Sequence, residues 1–175
     1  MTALILKKNK FRSKILLVLG TLLSISLSAQ DVTQITKGVE VENLKGRTID
    51  FSEVIKNDGG IKIVSFWATW CKPCIQELGY LNDLYDELQL DMNTTVYAVS
   101  IDDARSRKRI LPFVNGKSWE FEVLIDENST LKRKMSVLNI PHTFIIDQKN
   151  NIVYQHNSYV PGDEEEYFKV IRELN

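Results

Sequence analysis

The two cysteines constrain this chain more than any other feature, because they lie three positions apart where a strand changes into a helix. Residues 61–67, with the sequence IKIVSFW, are β-prone and almost continuously apolar, which predicts a strand covered on both faces. After Cys74, apolar residues recur at helical spacing: Ile75, Leu78, Leu81, Leu84, Tyr85 and Leu88. Cys71 and Cys74 are therefore predicted to open a helix of about four turns that follows a buried strand.

This position suits thiol-disulfide exchange, which needs one thiolate that attacks and a second thiol that resolves the mixed disulfide. The first cysteine of such a helix projects from the N-terminal turn, where unpaired amides and the helix dipole stabilise its thiolate. Lys72 adds a positive charge, and Pro73 fits the first turn because the N–H that it lacks would have no partner there. We predict that Cys71 is the nucleophile and Cys74 the resolving thiol.

Three other roles compete for the cysteine pair. A zinc site would need His142 and His156, but these histidines are 14 positions apart, unlike the short spacing of zinc fingers, and the sequence has no second CxxC. A purely structural disulfide would close too small a loop to stabilise a domain through chain entropy. A pair of inert buried thiols is the third alternative. We expect a redox-active Cys71–Cys74 disulfide, with no metal and no further cofactor.

Residues 1–29 are predicted to form a signal peptide. Five basic residues, the last of them Lys14, precede an apolar run at 15–27 and then small residues. The run is shorter than the roughly 20 apolar residues that a membrane-spanning helix needs. We expect cleavage after Ser28 or Ala29 and a mature domain at 30–175. An uncleaved membrane anchor and a buried N-terminal helix are the alternatives, and lipid attachment is disfavoured because no cysteine lies at the cleavage point.

Composition restricts the domain count and the class of partner. A chain of 175 residues with 43% hydrophobic residues has room for one globular domain with a sizeable core. The formal net charge is −1, although the first 29 residues carry only basic charges. The mature domain is therefore acidic, which argues against a nucleic-acid partner because such a partner needs clustered basic charge.

The rest of the chain alternates between strand and helix patterns. The predicted elements begin with a hairpin at 39–51, whose turn is at 45–47, and a short helix at 53–56 that residues 57–60 end. Further strands are predicted at 94–101, 121–125, 143–147 and 152–156. Three further helices are predicted: one that starts at 102 or 103, one at 127–137 and one at 163–174. Pro112 is expected to kink the first of these late helices. The pattern predicts an α/β fold with a central mixed β-sheet flanked by helices and an N-terminal β-hairpin extension.

Two segments carry a family resemblance. Residues 65–74, SFWATWCKPC, resemble the signature of thioredoxin-like proteins, and the form FWATWCxPC is similar to that of the exported TlpA/ResA-like branch. Residues 139–147, NIPHTFIID, are similar to the cis-proline segment of the family. The resemblance covers roughly residues 39–174 and implies a thioredoxin fold. It also implies that Pro141 is cis and lies against the cysteines, with the backbone of Ile140 available to a substrate strand, whereas the residues alone favour a trans proline at a strand start.

The resemblance also gives Glu77 a role. In the TlpA/ResA-like branch a glutamate at this place sits beneath the active site, where a carboxyl group can exchange protons with the thiols or raise their pKa values. The alternative is a solvated helix residue. Ser65 stands where thioredoxin itself carries a buried aspartate, so Glu77 is expected to take over that proton transfer. Gly79 stands where the family usually has a helix-kinking proline, so the kink is not carried over.

The remaining predictions concern the tryptophans, the two histidines and a basic run. Trp70 is expected to form the rim that contacts substrate, while Trp67 packs under the helix and Trp119 is a core residue distant from the motif. His142 is expected to tune the thiols, touch substrate or be an ordinary polar edge residue, and His156 to be an exposed strand residue. The basic run at 105–109 can attract an acidic partner, but a solvated helix face is the favoured interpretation.

The expected activity is reduction of disulfides in exported proteins, including components of cytochrome c maturation, with electrons from a membrane thiol donor. The reductive direction rests on the resemblance. Export places the protein in the periplasm if the cell is Gram-negative. An oxidase or isomerase is the first alternative, because the redox potential alone decides the direction of CxxC chemistry. A peroxidase is the second, since peroxiredoxins share the fold, although WCxPC is not their signature. A non-catalytic module that binds a partner is the third, and the intact CxxC argues against it.

Overall fold

The computed structural model describes residues 31–56 and 59–175. The predicted signal peptide, with its cleavage site, and residues 57 and 58, which are predicted to help end a short helix, lie outside these ranges. Across the two ranges, no helix combines the length and the apolar character that crossing a membrane requires.

The helices and strands follow one another in the predicted alternation. They are α1 (Val32–Thr36), β1 (Glu40–Asn43), β2 (Thr48–Asp50), α2 (Phe51–Lys56), β3 (Ile61–Trp67), α3 (Lys72–Asp83), α4 (Tyr85–Leu90), β4 (Thr94–Ser100), a 3-10 turn (Arg107–Arg109), α5 (Ile110–Lys117), β5 (Glu122–Ile125), α6 (Thr130–Lys134), β6 (His142–Ile146), β7 (Ile152–Asn157) and α7 (Glu164–Leu174).

Seven strands of the described chain form one mixed sheet, in the order β2-β1-β5-β4-β3-β6-β7. The central strand β3 pairs in parallel with β4 and antiparallel with β6, and β4 pairs in parallel with β5. The hairpin of β1 and β2 extends the sheet beyond β5, and β7 forms the other edge beside β6. The predicted thioredoxin fold, with its mixed sheet and N-terminal hairpin, is confirmed.

Strand β3 is buried at every position, and its side chains alternate between two apolar clusters. Ile63 and Trp67 belong to the cluster that contains both cysteines and residues of α3, α4, α5 and α7. Val64 and Phe66 belong to the opposite cluster, with residues of α1, α2 and α6. Ser65 lies between Ile63 and Trp67 in the period-2 pattern, so it points toward the cysteine face of the sheet.

The helix after the cysteines is shorter than the apolar spacing predicts. It ends at Asp83, and Leu84 leaves the helical conformation, with φ of −111° and ψ of 15°, before α4 begins. Leu81 and Leu88 are fully buried on the two sides of the break. The periodicity of apolar residues therefore continues through a break in the backbone and does not reveal it.

Two other predicted helices also differ from the structure. Residues 127–137 contain only the five-residue α6. Asp126 caps the start of this helix by accepting from the N–H groups of Thr130, Leu131 and Lys132. Pro112 does not kink a helix, because α5 begins at Ile110 and places the proline in its first turn, where its missing N–H costs little.

Candidate active site

Cys71 and Cys74 lie at the N-terminus of α3, as predicted, and form a disulfide with their Cα atoms 5.3 Å apart. Cys71 is the N-cap residue, and the backbone N–H of Cys74 donates to its Sγ at 3.4 Å. Cys71 is 5% exposed and Cys74 is fully buried. Cys71 is therefore the more accessible residue of the two, and its sulfur lies at the N-terminal turn, where it accepts the N–H of Cys74.

The peptide bond between Ile140 and Pro141 is cis, which confirms that prediction. Pro141 directly precedes β6, and in the β6 register His142 pairs with Phe66 of β3. Since β3 ends one residue later at Trp67, the cis-proline segment lies beside the segment that leads to Cys71. Pro141 is buried and Ile140 is half-buried against the cluster that holds the cysteines.

The segment before Cys71 is anchored by Asp102, a fully buried residue that follows β4. Its carboxylate accepts hydrogen bonds from the backbone N–H and the hydroxyl of Thr69, at 2.8 and 2.7 Å, and from the hydroxyl of Ser100 at 2.8 Å. Either Asp102 or its neighbour was predicted to cap the next helix. Neither residue caps that helix, because α5 starts only at Ile110 with Arg109 as its N-cap, and Asp103 instead accepts from the N–H groups of Arg105 and Ser106 in a turn.

Glu77 is 1% exposed, so the solvated alternative is wrong. Its Oε1 accepts from the hydroxyls of Thr143 on β6 and Tyr167 on α7, each at 2.8 Å. Its Oε2 accepts from the hydroxyl of Ser65 on β3, also at 2.8 Å. The carboxyl lies three residues after Cys74 on the same buried helix face, between the helix and the sheet.

Burial and hydrogen bonding act in opposite directions on Glu77. Burial raises its pKa, because the charged form loses its hydration. The hydrogen bonds from Thr143, Tyr167 and Ser65, followed by the charge of His156, lower the pKa and offset part of that rise. The pKa of Tyr167 is also raised, first by its burial and then by the nearby Glu77. The site therefore contains a carboxyl group that is biased toward holding its proton.

His156 and His142 differ in their surroundings. His156 pairs with Thr143 across β6 and β7, and its Nε2 lies 3.1 Å from Asp163 Oδ2, so it is a half-buried, paired residue and not the exposed one predicted. His142 stacks on Phe144, with ring centroids 4.5 Å apart, and contacts Gln155. Phe144 belongs to the cluster opposite the cysteines, so the contacts of His142 match the polar edge residue among its predicted roles.

The three tryptophans lie in different environments. Trp70 is 64% exposed beside Cys71, whereas Trp67 is fully buried. Trp119 is a core residue, as predicted, but it is not distant from the motif because its ring centroid lies 4.9 Å from that of Trp67. Trp70 lines a shallow groove with Ile101, Asp103, Arg105, Ser106 and Arg109. Two exposed arginines of the basic run thus flank the cysteine loop, while Arg107 pairs with Glu42 and Glu127.

Asp102, Thr143 and Tyr167 were not predicted from the sequence as parts of the site. Thr143 has a signal in the sequence, because it is a polar residue at an inward position of an otherwise apolar strand. Tyr167 lies on the inner face of an amphipathic helix, which does not distinguish it from a core aromatic residue. Within the ranges that the structure describes, no group of three or more His, Cys, Asp or Glu side chains is arranged to hold a metal ion.

Comparisons with known proteins agree with this geometry. The model of the AhpC/TSA family matches residues 32–155. A curated relative from Bacillus cereus, named thiol-disulfide oxidoreductase ResA, is 28% identical over 95% of this chain and 99% of its own length. The Bacillus anthracis protein of the same name is 30% identical over 86% of this chain and 89% of its own length. The solution structure of a thioredoxin-like protein from Porphyromonas gingivalis is 40% identical, with a TM-score of 0.70, and the match covers 78% of this chain and 88% of that one.

The family model spans most of the chain, and the two ResA relatives match 95% and 86% of it. The mixed sheet, the strand that leads into the cysteines and the cis proline fit the same assignment. The chain therefore belongs to the AhpC/TSA family of thioredoxin-like proteins and is a thiol-disulfide oxidoreductase of the ResA type.

Proposed function

We propose that this oxidoreductase is an exported dithiol reductase of protein disulfides, in which Cys71 attacks the substrate and Cys74 resolves the mixed disulfide. The observation that carries the roles of the two cysteines is the asymmetry of the pair, whereas the reductive direction rests on the resemblance to TlpA/ResA-like proteins. Cys71 caps α3 and is the more exposed residue, whereas Cys74 is fully buried one turn inside the helix. The capping position favours a thiolate at Cys71, because backbone N–H groups and the helix dipole stabilise negative charge there.

In the proposed cycle, the thiolate of reduced Cys71 attacks one sulfur of a substrate disulfide. A mixed disulfide forms and the other substrate sulfur leaves as a thiolate. Cys74 then loses its proton and attacks the sulfur of Cys71, which forms the Cys71–Cys74 disulfide and releases the second substrate thiolate. Two electrons pass to the substrate, and a dithiol donor must return two electrons to the enzyme. No cofactor beyond the cysteine pair enters this cycle.

Glu77 is proposed to supply and receive protons during these steps. Its buried carboxyl lies on the helix face that carries Cys74, and burial raises its pKa. A carboxyl that holds its proton above the usual range can give that proton to a departing sulfur. Its ionised form opposes formation of a nearby thiolate, which raises the thiol pKa values.

The proposed substrate surface surrounds the disulfide. Trp70 and Lys72 are exposed on either side of Cys71, and Pro73 is half-buried in the first turn of α3. The resemblance to thioredoxin-like proteins gives Ile140 and Pro141 the role of pairing with an extended substrate segment, with His142 next to them. This arrangement favours a protein or peptide disulfide over a small molecule that needs an enclosed pocket.

Export is proposed from residues 1–29, which have the basic, apolar and small-residue order of a signal peptide. In a Gram-negative cell this places the enzyme in the periplasm. We propose that its partners there are disulfides of exported proteins, including components of cytochrome c maturation, and a membrane thiol donor. Intact-mass analysis of protein from a native host tests processing, and an unprocessed N-terminus would contradict it.

The decisive experiment combines insulin reduction with trapping. The reduced wild type is expected to accelerate insulin reduction by dithiothreitol, and Cys71→Ser is expected to abolish that acceleration. Cys74→Ser is expected to retain substrate proteins as mixed disulfides through Cys71, which mass spectrometry of the trapped species identifies. Equal activity of the wild type and a Cys71→Ser, Cys74→Ser double variant would leave only a binding role.

The reduction potential tests the direction of the reaction. A reductase requires a potential well below that of strong oxidants, which is about −120 mV. Equilibration of the protein with glutathione buffers measures it, and a value near −120 mV would reassign the protein as an oxidase. Consumption of hydrogen peroxide without a protein disulfide would reassign it as a peroxidase.

A further inference from the structure

The buried carboxyl of Glu77 is paired with hydroxyl groups. Among residues 31–56 and 59–175, the hydrogen bonds recorded at its carboxyl come from three hydroxyls, those of Ser65, Thr143 and Tyr167. A hydroxyl can donate or accept a hydrogen bond, whereas a backbone N–H, a lysine or an arginine can only donate. Ionised Glu77 therefore receives three donors, and protonated Glu77 can donate its proton to a hydroxyl that rotates. The carboxyl can change its protonation state with its buried neighbours still paired.

We propose that Tyr167 is a positioning residue for thiol-disulfide exchange: its hydroxyl fixes the carboxyl of Glu77 on the buried helix face that also carries Cys74, and it determines the pH at which that carboxyl releases its proton. The inference rests on the proposed function, in which Glu77 exchanges protons with the cysteine pair. It extends the site to α7, the last helix of the chain, 90 residues away from Glu77 in sequence.

Tyr167 is held rigidly enough for this role. Its side chain is fully buried, and its ring contacts the rings of Tyr154 and His156 edge-on, with centroids 5.9 and 6.2 Å apart. The phenol oxygen is therefore held at one place, 2.8 Å from Glu77 Oε1. Ser65 and Thr143 are paired directly across β3 and β6, so they present two further hydroxyls from the sheet. Helix α7, which packs against α3 and β6, supplies the third hydroxyl.

The titratable groups that face Glu77 come from several elements. They are Cys74 on its own helix, His156 on β7 with its partner Asp163, Tyr159 in the loop after β7, and Tyr167 on α7. The adjoining strands β3 and β6 contribute the uncharged hydroxyls of Ser65 and Thr143. When one donor hydroxyl is lost, the carboxylate is less stabilised, and the protonated form of Glu77 stays favoured to a higher pH.

The test is the pH profile of alkylation of the reduced full-length protein by iodoacetamide, followed from about pH 4 to about pH 10. In wild type, Glu77 contributes an inflection to this coupled profile. Tyr167→Phe is expected to move that inflection upward by about one pH unit, the effect predicted for loss of one hydrogen bond to a charged group. Thr143→Val, which removes the other donor to Oε1 at nearly constant volume, is expected to move it in the same direction.

Tyr159→Phe is the matched control. It also removes a hydrogen bond from a buried tyrosine to a carboxylate, since the hydroxyl of Tyr159 donates to Glu164 at 2.9 Å, but it leaves the donors of Glu77 intact. Its profile is expected to follow wild type. In a Glu77→Gln background, Tyr167→Phe is expected to have no further effect on the profile, because the group through which it acts is gone.

Each result separates the inference from the proposed function. If Tyr167→Phe and Thr143→Val follow wild type while Glu77→Gln changes the profile, Tyr167 only packs and the inference is overturned. The same conclusion follows if Tyr167→Phe has an equal effect with and without Glu77. In both cases the roles of the cysteines stand. If Cys71→Ser still accelerates insulin reduction, the proposed function fails and the inference fails with it.

Discussion

Two fully buried acids flank the cysteine loop, and they are held by different kinds of donor. Asp102 lies beside the segment before Cys71 and accepts from a backbone N–H as well as from the hydroxyls of Thr69 and Ser100. Glu77 lies after Cys74 and accepts from three hydroxyls in the part of the chain that the structure describes. The backbone N–H can only donate, so Asp102 must always present an acceptor oxygen to it.

This difference separates anchoring from proton exchange. The bond to the N–H of Thr69 ties Asp102 to the main chain two residues before Cys71, so the acid fixes where the loop runs. The hydroxyls around Glu77 belong to side chains and can reverse their direction without moving the backbone. Asp102 is therefore suited to hold the cysteine loop in place, and Glu77 to the proton exchange proposed for it.

The largest effect is expected for Asp102→Ala. The variant leaves the partly buried N–H and hydroxyl of Thr69 and the buried hydroxyl of Ser100 without their acceptor, and a fully buried donor left unsatisfied costs about 1–3 kcal/mol. We expect the free energy of unfolding to fall by about 3 kcal/mol or more, together with insulin reduction.

Urea denaturation measures the effect of Asp102→Ala, with Asp103→Ala as the control on the exposed neighbour. Asp103 accepts from the N–H groups of Arg105 and Ser106 in a turn open to solvent, where water replaces the lost acceptor. Its loss is expected to cost about 1 kcal/mol. Equal destabilisation by the two variants would contradict an anchoring role for Asp102.

The second prediction concerns the stability of Glu77→Gln against pH. Burial raises the pKa of Glu77 above its ordinary value of 4.5, so between that value and the higher pKa of the folded state the folded protein binds more protons than the unfolded chain. Wild-type stability must then fall as pH rises through this window, by up to about 1.4 kcal/mol per pH unit. The amide of the variant does not titrate, and this loss should be absent. Urea midpoints at several pH values measure it, and parallel profiles for the two proteins would refute it.

Much of the fold and the centre of the site were predictable, because their signals are local. The apolar strand that runs into Cys71 and the segment around Pro141 are contiguous motifs with a clear resemblance to a family. The position of Cys71 at a helix start follows from apolar spacing alone. Predicting these features does not require knowing which distant residues are in contact.

The rest of the site depends on contacts between distant segments. Asp102 and Thr69 are 33 positions apart, and Tyr167 is 90 positions from Glu77. Periodicity identifies the inward face of each element but not which polar residues on two inward faces come together. Ser65 and Thr143 each interrupt an apolar strand at an inward position, so their burial was predictable, but their common partner was not.

The third prediction compares two buried serines, one beside each acid. Ser65 donates to Glu77 and Ser100 donates to Asp102, each at 2.8 Å. Replacement of either serine by alanine is expected to lower the free energy of unfolding by about 1 kcal/mol. Only Ser65→Ala is expected to move the pH profile of cysteine alkylation upward, because only Ser65 acts on Glu77. A shift of equal size in Ser100→Ala would remove the distinction between anchor and proton exchanger.

The smallest effect is expected for His156→Gln, since the charge of His156 is the least of the influences that lower the pKa of Glu77. Removal of this charge should raise the Glu77 inflection, by less than Tyr167→Phe does. Charge effects are screened by salt, whereas a buried hydrogen bond is not. The shift in His156→Gln should therefore be smaller at about 1 M salt than at about 0.01 M, while that of Tyr167→Phe stays the same. A salt-independent shift in His156→Gln would show that this residue acts through packing against Tyr167, which its ring contacts, and not through its charge.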